Sequence, residues 1–154
     1  MSGRESRTPR GGTTPRQDGM VALLMAAGRV HQALEGVCDR HGITHDQYNV
    51  LRILRGVHPG GHPRYAIADR LISRSPDVTR LLNRLEGQGL VERYRSPEDQ
   101  RLSMSRVTQR GLHLLGTMDP EVTTVHEAAA AGLSLGEVRQ LRLLCNRVSS
   151  PESP

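Results

Sequence analysis

The residues best suited to chemistry lie in positions 64–110, where ten arginines stand against six acids. There Asp77, Thr79, Arg80, Asn83 and Arg84 recur at helical spacing, opposite an apolar stripe of Val78, Leu81, Leu82 and Leu85. Guanidinium and amide groups along one helix face suit recognition better than bond breaking. An arginine fork donates in pairs to guanine or phosphate, and an asparagine amide pairs with adenine. Arg74 and Ser75 stand just before this stretch, and Arg95, Asp99 and Arg101 follow it on a hairpin. All of these are candidate contacts to double-stranded DNA. A merely solvated helix face more commonly carries Glu and Lys pairs. For Asp99 and Arg101 taken alone, a surface ion pair that steadies the hairpin is the competing reading.

Other side chains suggest weaker possibilities. Cys38 and His41 lie one helical turn apart with His45 nearby, a spacing to consider for a metal ion. Spacing provides no fourth ligand, so metal-ligating residues are expected to be none, with these three as weak candidates. Cys38 is also a candidate redox switch, because Arg40 and His41 are close to it and a neighbouring cation favours a thiolate. The competing reading is an inert packing cysteine. For an enzyme there is little support: no phosphate-binding glycine loop, nucleophile elbow or HExxH occurs, and the acids are scattered rather than paired. No catalytic residue and no cofactor are assigned.

The elements that must position the arginine-rich face follow from periodicity and punctuation. Residues 1–17 hold Gly, Thr, Pro, Ser and Arg with almost no apolar side chain and are expected to be a disordered basic tail. Val21, Leu24, Ala27, His31, Leu34 and Cys38 predict a helix from Met20 to about His41, stopped by Gly42. Thr44 and Gln47 form a capping box that opens a second helix, followed by a Gly- and Pro-rich loop over 56–63. A short helix is predicted over 65–72, with a turn at Ser73 and Arg74. A further helix starts at Ser75, supported by Pro76 and Asp77, and ends at Gly87 or Gly89. Strands are predicted over 90–95 and 101–107. Thr108 then caps a long helix in which Pro120 is expected to introduce a kink. A capping box at Ser134 and Glu137 opens the last helix, and 149–154 read as a frayed end.

Helix, turn, helix and hairpin in that order make a mainly α fold with a small β-hairpin wing, the winged helix-turn-helix. The expected organisation is a DNA-binding domain over 44–108, flanked by helical dimerisation segments at 18–43 and 109–148. The 154 residues are enough for an aliphatic core, since Phe and Trp are absent and only three Tyr occur. Two cysteines make no disulfide framework, no apolar run spans a membrane, and no signal peptide is read, so a cytoplasmic protein without membrane association is expected. All 21 basic residues are Arg. Genomic composition bias accounts for Arg in place of Lys but not for its clustering.

The stretch IADRLISRSPDVTRLLNRLEGQGLVERYRSPEDQRLSMSRVTQRG resembles the MarR family of multiple antibiotic resistance regulators. ITHDQYNVLRIL resembles the helix that precedes the DNA-binding block in that family, so the motif resemblance covers about residues 44–115. Gln100 stands where a second wing arginine is common, and the 58–63 loop is unusually rich in His, Pro and Gly. The resemblance implies a homodimeric repressor on a pseudo-palindromic operator. It places the reading helix in the major groove and Arg101 in the minor groove, with Asp99 holding the arginine. It also implies release by a small-molecule effector bound between the dimer helices and the DNA-binding lobe, where His41, Tyr48 and Arg52 are candidate lining residues. The alternatives are a winged-helix protein-interaction module without DNA binding, and a redox- or metal-sensing regulator.

Overall fold

The computed structural model describes residues 12–73 and 76–150. Six helices and three short strands follow in chain order: α1 (Pro15–Arg40), α2 (His45–Arg55), β1 (His62–Pro63), α3 (Arg64–Ala68), α4 (Val78–Gly87), β2 (Val91–Arg95), β3 (Ser103–Val107), α5 (Gln109–Ala130) and α6 (Leu135–Ser149). The winged helix-turn-helix order is present.

The first helix starts earlier than the composition of the tail suggests. Thr14 accepts from the Gln17 N–H, the Gln17 side chain accepts from the Thr14 N–H, and Pro15 occupies the first turn. Residues 15–17 are therefore helical, a correction to the expected tail, of which positions 1–11 lie outside the described residues. The same reciprocal cap opens α2 at Thr44 and Gln47 and α6 at Ser134 and Glu137. At α4 the expected start moves. Asp77, not Ser75, is the N-cap, its carboxylate accepting from the Arg80 N–H at 3.2 Å. Arg74 and Ser75 lie outside the described residues. Ser75 and Asp77 are both of N-cap type by sequence, and Asp77 takes the role. The preceding helix is also shorter than predicted, ending at Ala68. The fifth helix runs through Pro120 to Ala130.

The loop over 56–63 conceals a strand. His62 and Pro63 pair with Ser105 and Met104, giving an antiparallel sheet of order β1-β3-β2. Proline lacks an N–H, so an edge strand is where it fits. The central strand β3 pairs with β2 in the register Val91↔Val107 through Arg95↔Ser103.

One aliphatic core joins these parts. Val37 and Cys38 from α1, Leu51 and Leu54 from α2, and Ile67 from α3 meet Leu85 from α4, Val91 and Val107 from the sheet, and Leu115 and Met118 from α5. Two ionic contacts tie α5 to the first helices. Arg55 Nη1 lies 2.9 Å from Asp119 Oδ2. Glu121 accepts from Arg40 Nη2 at 2.5 Å and faces His41 Nε2 at 2.7 Å. These contacts, His41 first and then Arg40, hold the Glu121 carboxyl below its usual range.

Two surfaces remain apolar and uncovered. On α1, Leu24 is 71% exposed, with Met20, Val21 and Met25 beside it. The sixth helix buries no residue, and its Leu141, Leu144 and Val148 are 47%, 48% and 53% exposed. Among the described residues no helix is long and apolar enough to cross a membrane.

Candidate nucleic-acid interface

The reading helix α4 is attached to the lobe by one face. Val78, Leu82 and Leu85 are buried and Leu81 packs against the core. Asp77, Thr79, Arg80, Asn83 and Arg84 are all exposed. Ten residues of helix span about 15 Å, enough to lie along a major groove about 12 Å wide. Gly89, at φ +71°, takes the left-handed turn that ends the helix and leads into β2.

The polar groups of this face have different local commitments. Asp77 is occupied by its capping role. Arg80 and Arg84 make no ion pair among the described residues. They line a groove against Thr44, Asp46 and Gln47 at the start of α2. Their guanidinium groups are therefore available to an outside anion. Asn83 is held by Arg93, reaching over from β2, whose Nη2 donates to Asn83 Oδ1 at 2.5 Å. Arg93 was absent from the sequence-based candidates because its reach to the reading helix depends on the wing folding back.

The wing tip is a hydrogen-bonded turn. Buried Ser96 accepts through Oγ from the N–H groups of Glu98 and Asp99, at 3.3 and 3.4 Å. Asp99 Oδ1 accepts from the Arg101 backbone N–H at 3.0 Å. Asp99 thus holds Arg101 through its backbone N–H. The Arg101 side chain is exposed and makes no ion pair among the described residues. Arg95 Nη1 donates to the Arg101 carbonyl at 3.3 Å and supports the same turn. Farther down the hairpin, Arg106 pairs with Glu92 at 2.6 Å and lies 4.8 Å over the Tyr94 ring.

The sensing candidates separate in space. His41 lines a cavity of about 400 Å³ with Leu90, Arg110, His113, Leu114 and Thr117. Tyr48 is buried beside the His45 ring, whereas Arg52 is exposed, and neither lines that cavity. Cys38 is 1% exposed, and burial, reinforced by Asp39, pushes its thiol up to about 11. The thiolate expected from nearby Arg40 and His41 is not favoured, because burial disfavours the charged form and both side chains face Glu121 instead. The trio Cys38, His41 and His45 does not assemble. His45 packs edge-on against His31 at 4.6 Å, burial lowers its pKa, and no group of three metal-ligating side chains occurs among the described residues.

These features have counterparts in known proteins. The profile of the MarR family matches residues 43–103. A MarR transcription factor from Planctomyces limnophilus, solved by crystallography, is 34% identical. The match covers 89% of this chain and 98% of that one, with a TM-score of 0.65. The HTH-type transcriptional regulator MhqR of Bacillus subtilis is 28% identical, over 83% of this chain and 87% of that protein. The homoprotocatechuate degradative operon repressor of Escherichia coli is 26% identical, over 79% and 80% of the two chains.

Proposed function

The chain belongs to the MarR family, and from that premise we infer that it is a sequence-specific, double-stranded-DNA-binding transcriptional regulator. It acts in the cytoplasm as a homodimer, represses, and is released by a small-molecule effector. It performs recognition, not turnover. The observation that carries this reading is the face of α4, where Arg80 and Arg84 stand exposed and without an ion pair among the described residues, on a helix otherwise anchored in the core. A winged-helix module that binds only protein has no need of such a face.

Each candidate then has a place. The reading helix enters the major groove with Thr79, Arg80, Asn83 and Arg84 toward base edges and phosphates, while Asp77 maintains its N-terminus. Arg74 and Ser75 precede it in the chain. The wing places Arg101 against the minor groove, where a narrow A·T tract attracts arginine. Asp99, Ser96 and Arg95 set the turn from which it projects. The exposed apolar faces of α1 and α6 pair with those of a second subunit, bringing two reading heads to half-sites of a pseudo-palindrome.

Selection from a random duplex library across a salt series tests the reading. A two-fold-symmetric site is expected, with half-sites about one helical turn apart and affinity falling steeply with salt. Arg80→Ala is expected to cost about 1–3 kcal/mol and relax one position of the site. Arg101→Ala is expected to weaken binding with a smaller change in sequence preference. No enriched site from a folded wild-type dimer would refute DNA reading.

The effector is assigned to the cavity beside His41. Arg110 provides a cation, His113 an imidazole ring, and Leu90 and Leu114 an apolar wall, a combination suited to an aromatic carboxylate. Tyr48 and Arg52 are not needed in this site. Salicylate or a larger aromatic acid is expected to raise Tm and weaken operator binding, with both effects reduced in Arg110→Ala. A Tm response identical in Arg110→Ala and wild type would place the site elsewhere.

A further inference from the structure

We propose that Arg93 determines base specificity by fixing the Asn83 amide so that the reading helix favours guanine over adenine at the position Asn83 faces. This rests on the DNA-reading function inferred above.

The orientation of the amide follows from donor and acceptor chemistry. Arg93 Nη2 is 2.5 Å from the Asn83 side chain. A guanidinium carries only donors, so the amide atom it meets must be the oxygen. Oδ1 is therefore turned toward the wing and against a positive charge. The Nδ2 group is the other end of the amide and remains as its free edge. Arg93 is itself steered, because its Nε lies 3.5 Å from Glu86 Oε2, one turn along α4 from Asn83. Glu86, Arg93 and Asn83 thus form a short relay between β2 and the reading helix.

An unconstrained asparagine reads adenine by accepting from N6–H and donating to N7. Here one of the two lone pairs of the accepting oxygen is taken by a charged donor, which draws electron density from the other and sets a positive charge beside it. Bringing an adenine amino group to the same oxygen would set two donors beside one another. Guanine instead offers two acceptors, O6 and N7, on its major-groove edge. The free Nδ2 hydrogens match that edge, and the positive charge of Arg93 reinforces it. Arg106, on the neighbouring strand of the hairpin, is engaged by Glu92 and Tyr94.

Operator selection followed by competition with single-base variants tests the proposal, using the intact dimer. Asn83→Ala locates the position, as the one whose base preference it flattens. Wild type is expected to favour guanine over adenine there by about tenfold. Arg93→Ala frees Oδ1 and is expected to move that ratio toward adenine by about tenfold. Arg93→Lys retains a cationic donor and is expected to keep the guanine preference. A role confined to holding the hairpin would lower affinity for all sites equally, with no change at this position. That result, or a wild-type preference for adenine, would overturn the proposal. A wild type that enriches no site at all would overturn the DNA-reading function along with it.

Discussion

With Leu141 and Leu144 both replaced by glutamate, the protein is expected to sediment as a folded monomer and to bind its operator at least 100-fold more weakly. The sixth helix buries nothing within its own chain, although Leu141, Leu144 and Val148 recur along it at spacings of three and four. A helix with an apolar stripe and no covering surface is marginal in water. A second subunit is expected to cover it, and the exposed stripe of α1 offers the complementary area. Charges placed in that seam must be desolvated for the subunits to pair, which opposes association. Once the subunits separate, each reading head binds its half-site alone. The loss follows from effective concentration: linking two binding events strengthens the whole by about 10²–10⁴ without any new contact. Because neither leucine belongs to the core of one chain, the circular dichroism of the variant is expected to remain largely helical. Sedimentation and operator affinity are to be measured together. A variant that remains a dimer with full affinity would exclude α6 from the interface.

The second large effect concerns a single glycine at the base of the wing. Gly111→Ala is expected to cost about 3 kcal/mol, read as a lower urea midpoint with an unchanged slope. A methyl group at Gly111 would stand 2.5 Å from the Leu90 carbonyl oxygen and 2.6 Å from Val107 Cγ2. Neither neighbour can easily retreat. The Leu90 oxygen accepts from the Thr108 N–H at 3.1 Å, and Val107 is buried in the sheet. Thr108 also donates through Oγ1 to the Gly89 carbonyl at 2.7 Å. The close approach therefore fastens the root of the hairpin to the first turn of α5. Gly116, on the same helix, is the control, since a methyl there meets nothing within 4 Å. Gly116→Ala is expected to stabilise the helix by up to about 1 kcal/mol. Equal stability for Gly111→Ala and wild type would show that α5 and the hairpin do not approach this closely.

What the sequence disclosed and what it withheld divide along physical lines. The stripe of α4 and the caps at Thr44 and Ser134 depend on residues within a few positions of one another, and the structure retains them. The Thr14 cap has the same signature and was legible, but the surrounding Gly, Pro and Arg composition pointed to a tail. The two-residue strand β1 has no periodicity of its own; its pairing with β3 requires the finished sheet. The reach of Arg93 to Asn83, the node at Glu121 and the burial of Cys38 are likewise long-range facts. In the candidate site, residue types predicted which groups face outward. They did not predict which of those groups would already be occupied by partners.

The uncovered sixth helix also bears on dosage. If pairing orders it, subunit association is a second-order process, and the fraction of paired chains depends on how much protein is present. Below the concentration at which pairs form, active regulator rises roughly as the square of total protein, so doubling the protein yields about four times as many paired reading heads. Operator occupancy would then respond to synthesis and dilution more steeply than a one-chain regulator allows. Cell growth without new synthesis would erase repression faster than it erases the protein.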